Sequence, residues 1–409
     1  MTFRTLIFWL HLCAGVVAGA VVLVMSATGV LLTYEKQMIA RAERSPLAAA
    51  PSPGARRLPV EALLESARRA RPGAEPATIA VRADRDAPVA IGFGRDGQVL
   101  LNGYTGAVLG DGATRLRAFF RSVTEWHRYL AASGEYRSTG KAVTGACNLA
   151  FLVLAITGAY LWLPAVWSRA QLRNILWFRR GLPGKARDFN WHNTIGVWSV
   201  VPLVVVVASA TVISYPWASN LTYRAMGENP PPPRGAATAS SRPRAAGEAR
   251  PGTEGRDAAS ATPRGGDGAA AARPSATSLD AALARAERHV DGWRTITLRV
   301  PPDAGAPLAF TIDRGSGGEP HKRGTLTVDA ASGAIVDWEP FSSNSPGRRL
   351  RTILRFAHTG EVLGLPGQTI AGLASAGGVF LVYTGLALSL RRFVAWRKRR
   401  GYQGRQAAA

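Results

Sequence analysis

Cysteine is nearly missing from this chain of 409 residues: Cys13 and Cys147 are the only two, and both fall inside apolar runs. That excludes a disulfide framework and a thiolate-held iron–sulfur cluster. A Gly-x-Gly-x-x-Gly stands at Gly92 to Gly97 after a strand-like run, but it leads into a second apolar strand-like run rather than opening a helix, so it does not read as a built-in nicotinamide or flavin domain. Acidic residues are scarce, 27 against 50 Lys and Arg, leaving a net charge of +23. The basic excess has no interleaved aromatic platform and much of it flanks apolar runs, so it does not read as a nucleic-acid surface.

Four runs lack charge almost entirely: residues 6–32, 147–163, 195–215 and 370–390. Each approaches the ~20 apolar residues that cross a hydrocarbon layer, so the chain reads as four transmembrane helices. The first run is too long for a signal-peptide core. Arg169, Arg173, Arg179, Arg180, Lys185 and Arg187 lie between spans two and three, and another basic cluster follows span four. Short basic segments stay in the cytoplasm, which puts both termini there and the two long segments outside.

The order of parts repeats. Span one ends "VMSATGVLLTY" and span three reads "VVASATVISYPW"; span two holds "LAITGAYLW" and span four "LVYTGLALS". Each half runs span, external segment, span, which is a tandem parallel repeat about an axis along the membrane normal. The external segments match as well. "LPVEALLESARRARPG" and "SLDAALARAERHVDGW" carry helical periodicity, and the strands after them meet at "LLNGYTGAVLGD" and "LTVDAASGAIVDWEP", with glycine at each hairpin tip.

The expected fold is therefore an all-α membrane core of four transmembrane helices with two small external α+β domains. In chain order the expected parts are span one (1–34), the first external domain (46–115), an amphipathic segment with span two (116–167) and a cytoplasmic loop (168–190). Span three (191–217), a disordered Pro-, Ala-, Gly-, Ser- and Arg-rich linker (228–276), the second external domain (277–340), an amphipathic segment with span four (346–393) and a cytoplasmic tail (394–409) follow.

Of six histidines, His289 and His321 lie in the second external segment without counterparts in the first. The other four follow the repeat. His11 and His192 stand at the cytoplasmic ends of spans one and three; His127 and His358 lie on amphipathic segments before spans two and four. Imidazoles at a lipid boundary need a partner for each nitrogen, and a neutral ring offers a metal one lone pair while its other nitrogen donates a hydrogen bond. The repeat faces His11 with His192 and His127 with His358.

A bis-histidine b-type haem between each pair fits that arrangement, two haems in all. Without Cys-x-x-Cys-His, covalent attachment is excluded, and four ligands split across a ~30 Å layer cannot form one zinc site. Arg121, Arg128, Arg351 and Arg355 are the candidate propionate partners, and Gly15, Gly145, Gly196 and Gly372 are either clearances for a macrocycle or sites of close helix–helix packing.

On "AHTGEVLGLPGQTIAG", "WHRYL" with "TGKAVTG" downstream, the pairs Thr157-Gly158 and Thr384-Gly385, and the hairpins "NGYTG" and "DAASG", the chain resembles the PepSY-associated transmembrane family. Its members include bis-haem ferrisiderophore reductases of the bacterial inner membrane. The resemblance covers nearly the whole chain and implies PepSY-like external domains in the periplasm. It also implies electron transfer from a cytoplasmic donor, through two haems, to a ferric siderophore. Val212, where the pattern has glycine, and the long linker depart from it. The same residues leave open another acceptor (a quinone, cupric ion or a periplasmic redox protein) and a regulatory or assembly role without catalysis.

Overall fold

The computed structural model describes residues 2–50, 52, 54–164, 167–232, 278–301, 303 and 305–407. Its helices are α1 (Phe3–Leu32), α2 (Glu35–Ala42), α3 (Val60–Ala70), α4 (Thr114–Tyr129), α5 (Arg137–Trp162), α6 (Arg169–Leu176), α7 (Gly184–Ser214), α8 (Pro216–Ala225), α9 (Leu279–His289), α10 (Pro346–His358) and α11 (Gly364–Ala407). The strands are β1 (Thr78–Arg82), β2 (Val89–Gly92), β3 (Gln98–Leu101), β4 (Val108–Gly110), β5 (Thr295–Arg299), β6 (Leu308–Asp313), β7 (Arg323–Val328) and β8 (Ile335–Pro340).

Helices α1, α5, α7 and α11 lie in the four segments long and apolar enough to cross a membrane. They form a ring in which α1 and α7 each pack on both α5 and α11. Their ends run past the apolar runs. Helix α7 starts at Gly184, so His192 lies two turns inside it, and α11 carries the basic tail on as helix to Ala407. Helicity is set by backbone hydrogen bonds, which continue into water, whereas the apolar run marks only the part that lipid can cover.

The external segments depart from the expectation of two separate small domains. Two antiparallel meanders join through β1 and β5 into one eight-stranded sheet, ordered β4-β3-β2-β1-β5-β6-β7-β8. The seam pairs Thr78 with Arg299, Ala80 with Thr297 and Arg82 with Thr295. Helices α3 and α9 share one apolar core with it: Leu64 and Ala67 pack with Ile79 and Ile91, and Ala286 with Ile296 and Phe310. A four-stranded piece of this size buries a small fraction of its surface and is marginal alone, and joining edges removes two exposed strand edges as well.

The duplication extends to the caps. Asp280 Oδ1 accepts from Val60 N at 2.8 Å, and Glu61 Oε1 accepts from Leu279 N at 2.7 Å, so each of α3 and α9 caps the other's N-terminus. At the hairpin tips Gly106 and Gly333 take positive φ, 70° and 67°, as expected. Residues 233–276 of the segment read as a linker lie outside the described residues. Its first residue, Glu228, does not behave as linker: its carboxylate accepts from Gly347 N at 2.9 Å and Ser345 Oγ at 2.7 Å and so holds the start of α10.

A shared core predicts shared loss. Ile296, fully buried at the seam, truncated as Ile296→Ala should destabilise the sheet by about 2–5 kcal/mol. Amide exchange should then rise in β1–β3 as well as in β5–β8; a rise confined to β5–β8 would mean that the halves fold independently.

Candidate functional site: two facing histidine pairs

Two pairs of imidazoles face each other, each pair taking one ring from either half of the chain. On the face carrying the chain termini, His11 of α1 and His192 of α7 hold their ring centroids 6.4 Å apart with planes at 90°. On the sheet face, His127 of α4 and His358 of α10 are 6.1 Å apart at 49°. All four are partly buried.

Each ring is held from within its own half of the chain. His11 Nδ1 lies 2.9 Å from Thr157 Oγ1, His192 Nδ1 2.9 Å from Thr384 Oγ1, and His127 Nδ1 2.9 Å from Thr28 Oγ1. Those hydroxyls each donate their one proton to a carbonyl a turn back, Val153 O at 2.6 Å, Phe380 O at 2.7 Å and Val24 O at 2.6 Å. The hydroxyl oxygen is left to accept, so Nδ1 must donate. His358 Nδ1 reaches Val206 O at 2.9 Å, and a carbonyl can only accept. The acceptors therefore assign all four rings to the Nδ1–H tautomer, with the lone pair on Nε2.

The glycine after each threonine lies beside the ring, and at Gly158 the space is tight. A Cβ at Gly158 would stand 3.2 Å from His11 Cε1, at Gly385 3.4 Å from His192 Cε1, and at Gly29 3.7 Å from His127 Cε1. In α7 the matching residues are Thr211 and Val212. Thr211 Oγ1 accepts from Asn148 Nδ2 at 3.0 Å and donates to Val207 O. With that hydroxyl engaged and Val212 in the glycine's place, His358 takes the Val206 carbonyl instead.

Sequence reasoning paired these histidines but missed their threonine partners, although the "TG" pairs were its legible signal. The four glycines offered as macrocycle clearances or helix-packing positions all have side-chain neighbours. Gly15 and Gly196 sit in ordinary contact distance of Leu154 and Leu381, and Gly145 and Gly372 lie close against Tyr215 and Thr33.

None of the four candidate arginines has a hydrogen bond to a histidine. Arg121 and Arg128 are exposed on α4, the latter over the Tyr129 ring, about a third of a turn from the His127 stripe. Arg351 and Arg355 share the His358 stripe of α10; Arg351 Nε donates to Ser219 Oγ at 2.7 Å, and Arg355 lies over Phe356. His289 packs edge-on against Trp338, and His321 is exposed. Cys13 and Cys147 are free thiols. Among the described residues, no three His, Cys, Asp or Glu side chains gather as metal ligands, so each face offers a donor set of two imidazoles.

Sharp turns bring the sheet-face pair to the bundle. Between α10 and α11, Gly360 and Gly367 pack backbone to backbone, and a Cβ on either would overlap the other's carbonyl. After α4, Leu130 and Ala131 turn the chain in the left-handed region at φ 53° and 58°, at a cost of about 1–2 kcal/mol each for a residue with a Cβ. A family described as the PepSY-associated TM region matches residues 8–392. The chain belongs to that family. Comparison with curated proteins gives no match. Within this PepSY-associated protein, the match spans all four long apolar helices, both histidine pairs and the joined sheet.

Thr157 supplies the test of the tautomer assignment. Thr157→Val keeps the shape but leaves the His11 N–H unpaired, at a cost of about 1–3 kcal/mol, whereas Thr157→Ser keeps the acceptor. In nitrogen NMR of the labelled protein, His11 should lose its Nδ1–H tautomer in the valine variant and retain it in the serine variant; retention in both would show the threonine to be incidental.

Proposed function

We propose that the protein is an inner-membrane electron-transfer protein that holds two b-type haems. In this reading His11 and His192 ligate one, and His127 and His358 the other. The observation that carries the proposal is the ring spacing of 6.4 and 6.1 Å. An imidazole nitrogen bonds a transition metal at about 2.0–2.1 Å, so two opposed rings sharing one ion have centres roughly 6 Å apart. The Nδ1 assignments agree, because each ring keeps its lone pair on the nitrogen that a metal would take. A haem held by the two imidazoles of each pair would supply one-electron transfer rather than oxygen binding.

The pairs are stations near opposite faces. From His11 to Thr28, which holds His127, is a rise along α1 of about 25 Å, most of the ~30 Å hydrocarbon layer. The basic segments on the terminus face support a cytoplasmic setting for that face, with the sheet on the periplasmic side.

Because the Gly92–Gly97 run joins β2 to β3 instead of opening a helix, it is not a dinucleotide fingerprint, and the donor is a separate cytoplasmic reductant. The acceptor on the sheet side is a ferric siderophore or similar ferric chelate. Reduction makes iron a softer, less charged ion, which a hard oxygen cage holds more weakly, so one electron suffices to release it.

Purified protein should contain about two haems per chain by pyridine haemochrome, both low-spin, and clearly less than one would sink the proposal. His127→Ala and His358→Ala should each remove the same component of a redox titration and stop reduction of an external ferric chelate. His11→Ala and His192→Ala should remove the other component. If His11 instead shares a component with His358, or His127 with His192, the facing pairs are not the ligand pairs.

A further inference from the structure

The two sheet-face histidines ride on α4 and α10, short helices outside the four long ones, and something must set their spacing. Helix α2 touches the supports of both. At its start Lys36 Nζ pairs with Glu361 at 2.7 Å and donates to Gly317 O at 3.2 Å. Glu361 is 7% exposed and lies three residues beyond His358. It packs against Gly318, where any side chain would overlap it. The loop between β6 and β7 is thereby seated on the turn that carries His358. That loop is itself fixed by Glu319, which accepts from Ser316 N at 3.0 Å and pairs with Lys322.

Just past the far end of α2 is Glu43, 4% exposed. Its Oε1 accepts from Arg117 Nε at 2.9 Å and Nη2 at 2.6 Å, and from Gln98 Nε2 at 2.9 Å, while Arg82 Nη2 stands 3.8 Å from Oε2. Arg117 is in the first turn of α4, the helix of His127; Gln98 and Arg82 belong to β3 and β1. Lys36 and Glu43 are seven residues apart and so share one face of α2. A buried carboxylate is tolerated only when its partners satisfy it, so each fixes its neighbours with little latitude.

We propose that α2 is a brace and that Glu43 and Glu361 are positioning residues for the sheet-face histidine pair, setting the distance and angle between His127 and His358. The proposal rests on reading that pair as a shared haem site.

The test uses the full chain in detergent, with Glu43→Gln, Glu361→Gln and Lys36→Met, the reversed pair Lys36→Glu with Glu361→Lys, and two readouts. In a redox titration and optical spectrum, each single variant should shift the sheet-face component and leave the terminus-face component unchanged. Transfer of the sheet-face haem to an acceptor globin should become roughly tenfold faster, the scale on which an outer-shell partner matters. The reversed pair should restore the Glu361 defect. Wild-type behaviour in all three single variants, or equal decline of both components, would overturn the positioning role. Amide exchange across residues 353–367 separates this from failure of the haem reading. If the wild type holds no haem, the function proposed above fails, while faster exchange in Glu361→Gln still supports the brace and unchanged exchange overturns it.

Discussion

The arrangement at both faces depends on where one proton sits. In all four rings it is on Nδ1, because the acceptor opposite has nothing left to donate: three threonine hydroxyls have spent their proton on a helix carbonyl, and the fourth acceptor is itself a carbonyl. That bond fixes the ring's rotation and leaves the Nε2 lone pair unshared. Every such acceptor comes from the histidine's own half of the chain. The halves therefore orient their imidazoles separately, and each pair is completed only where the halves meet.

The same division of labour governs the rest of the molecule. Each meander is marginal alone, and they become one sheet by pairing β1 with β5, with α3 and α9 capping one another across the seam. In the membrane region α1 and α7, which carry the terminus-face histidines, each pack on both α5 and α11, which carry their threonines. A duplicated sequence reaches stability through contacts between copies, and the histidine pairs and the β1–β5 seam both join one copy to the other.

Much of this was legible in the chain. Uncharged runs gave the four long helices, because exclusion of charge over that length has few other causes. The repeat gave the histidine pairing. The sheet was legible as strands and hairpin tips but not as one sheet, since the seam pairs residues more than 200 apart in sequence and no local pattern encodes it. Helix ends were misplaced where hydrogen bonding outlasts apolarity, as at Gly184 and beyond Leu390. Glu43 and Glu361 were invisible for a different reason. A carboxylate in a short polar helix or turn reads as a solvated side chain, and only the arginine or lysine brought from another element makes it a fixed point.

The departures from symmetry gather on one face. The terminus-face pair is built twice from the same parts, histidine, threonine and glycine. On the sheet face one ring uses that set, while the other, with Val212 and an engaged Thr211, uses a backbone carbonyl. Its two turns also differ, one relying on close-packed glycines and the other on strained Leu130 and Ala131. Drift of this kind is tolerated only where another constraint holds the geometry. The sheet face has such a constraint in α2, whose buried ion pairs and hydrogen bonds link both histidine-bearing helices to the sheet. Among the described residues the terminus face has no sheet above it, and its two rings are held alike, His11 by Thr157 and His192 by Thr384.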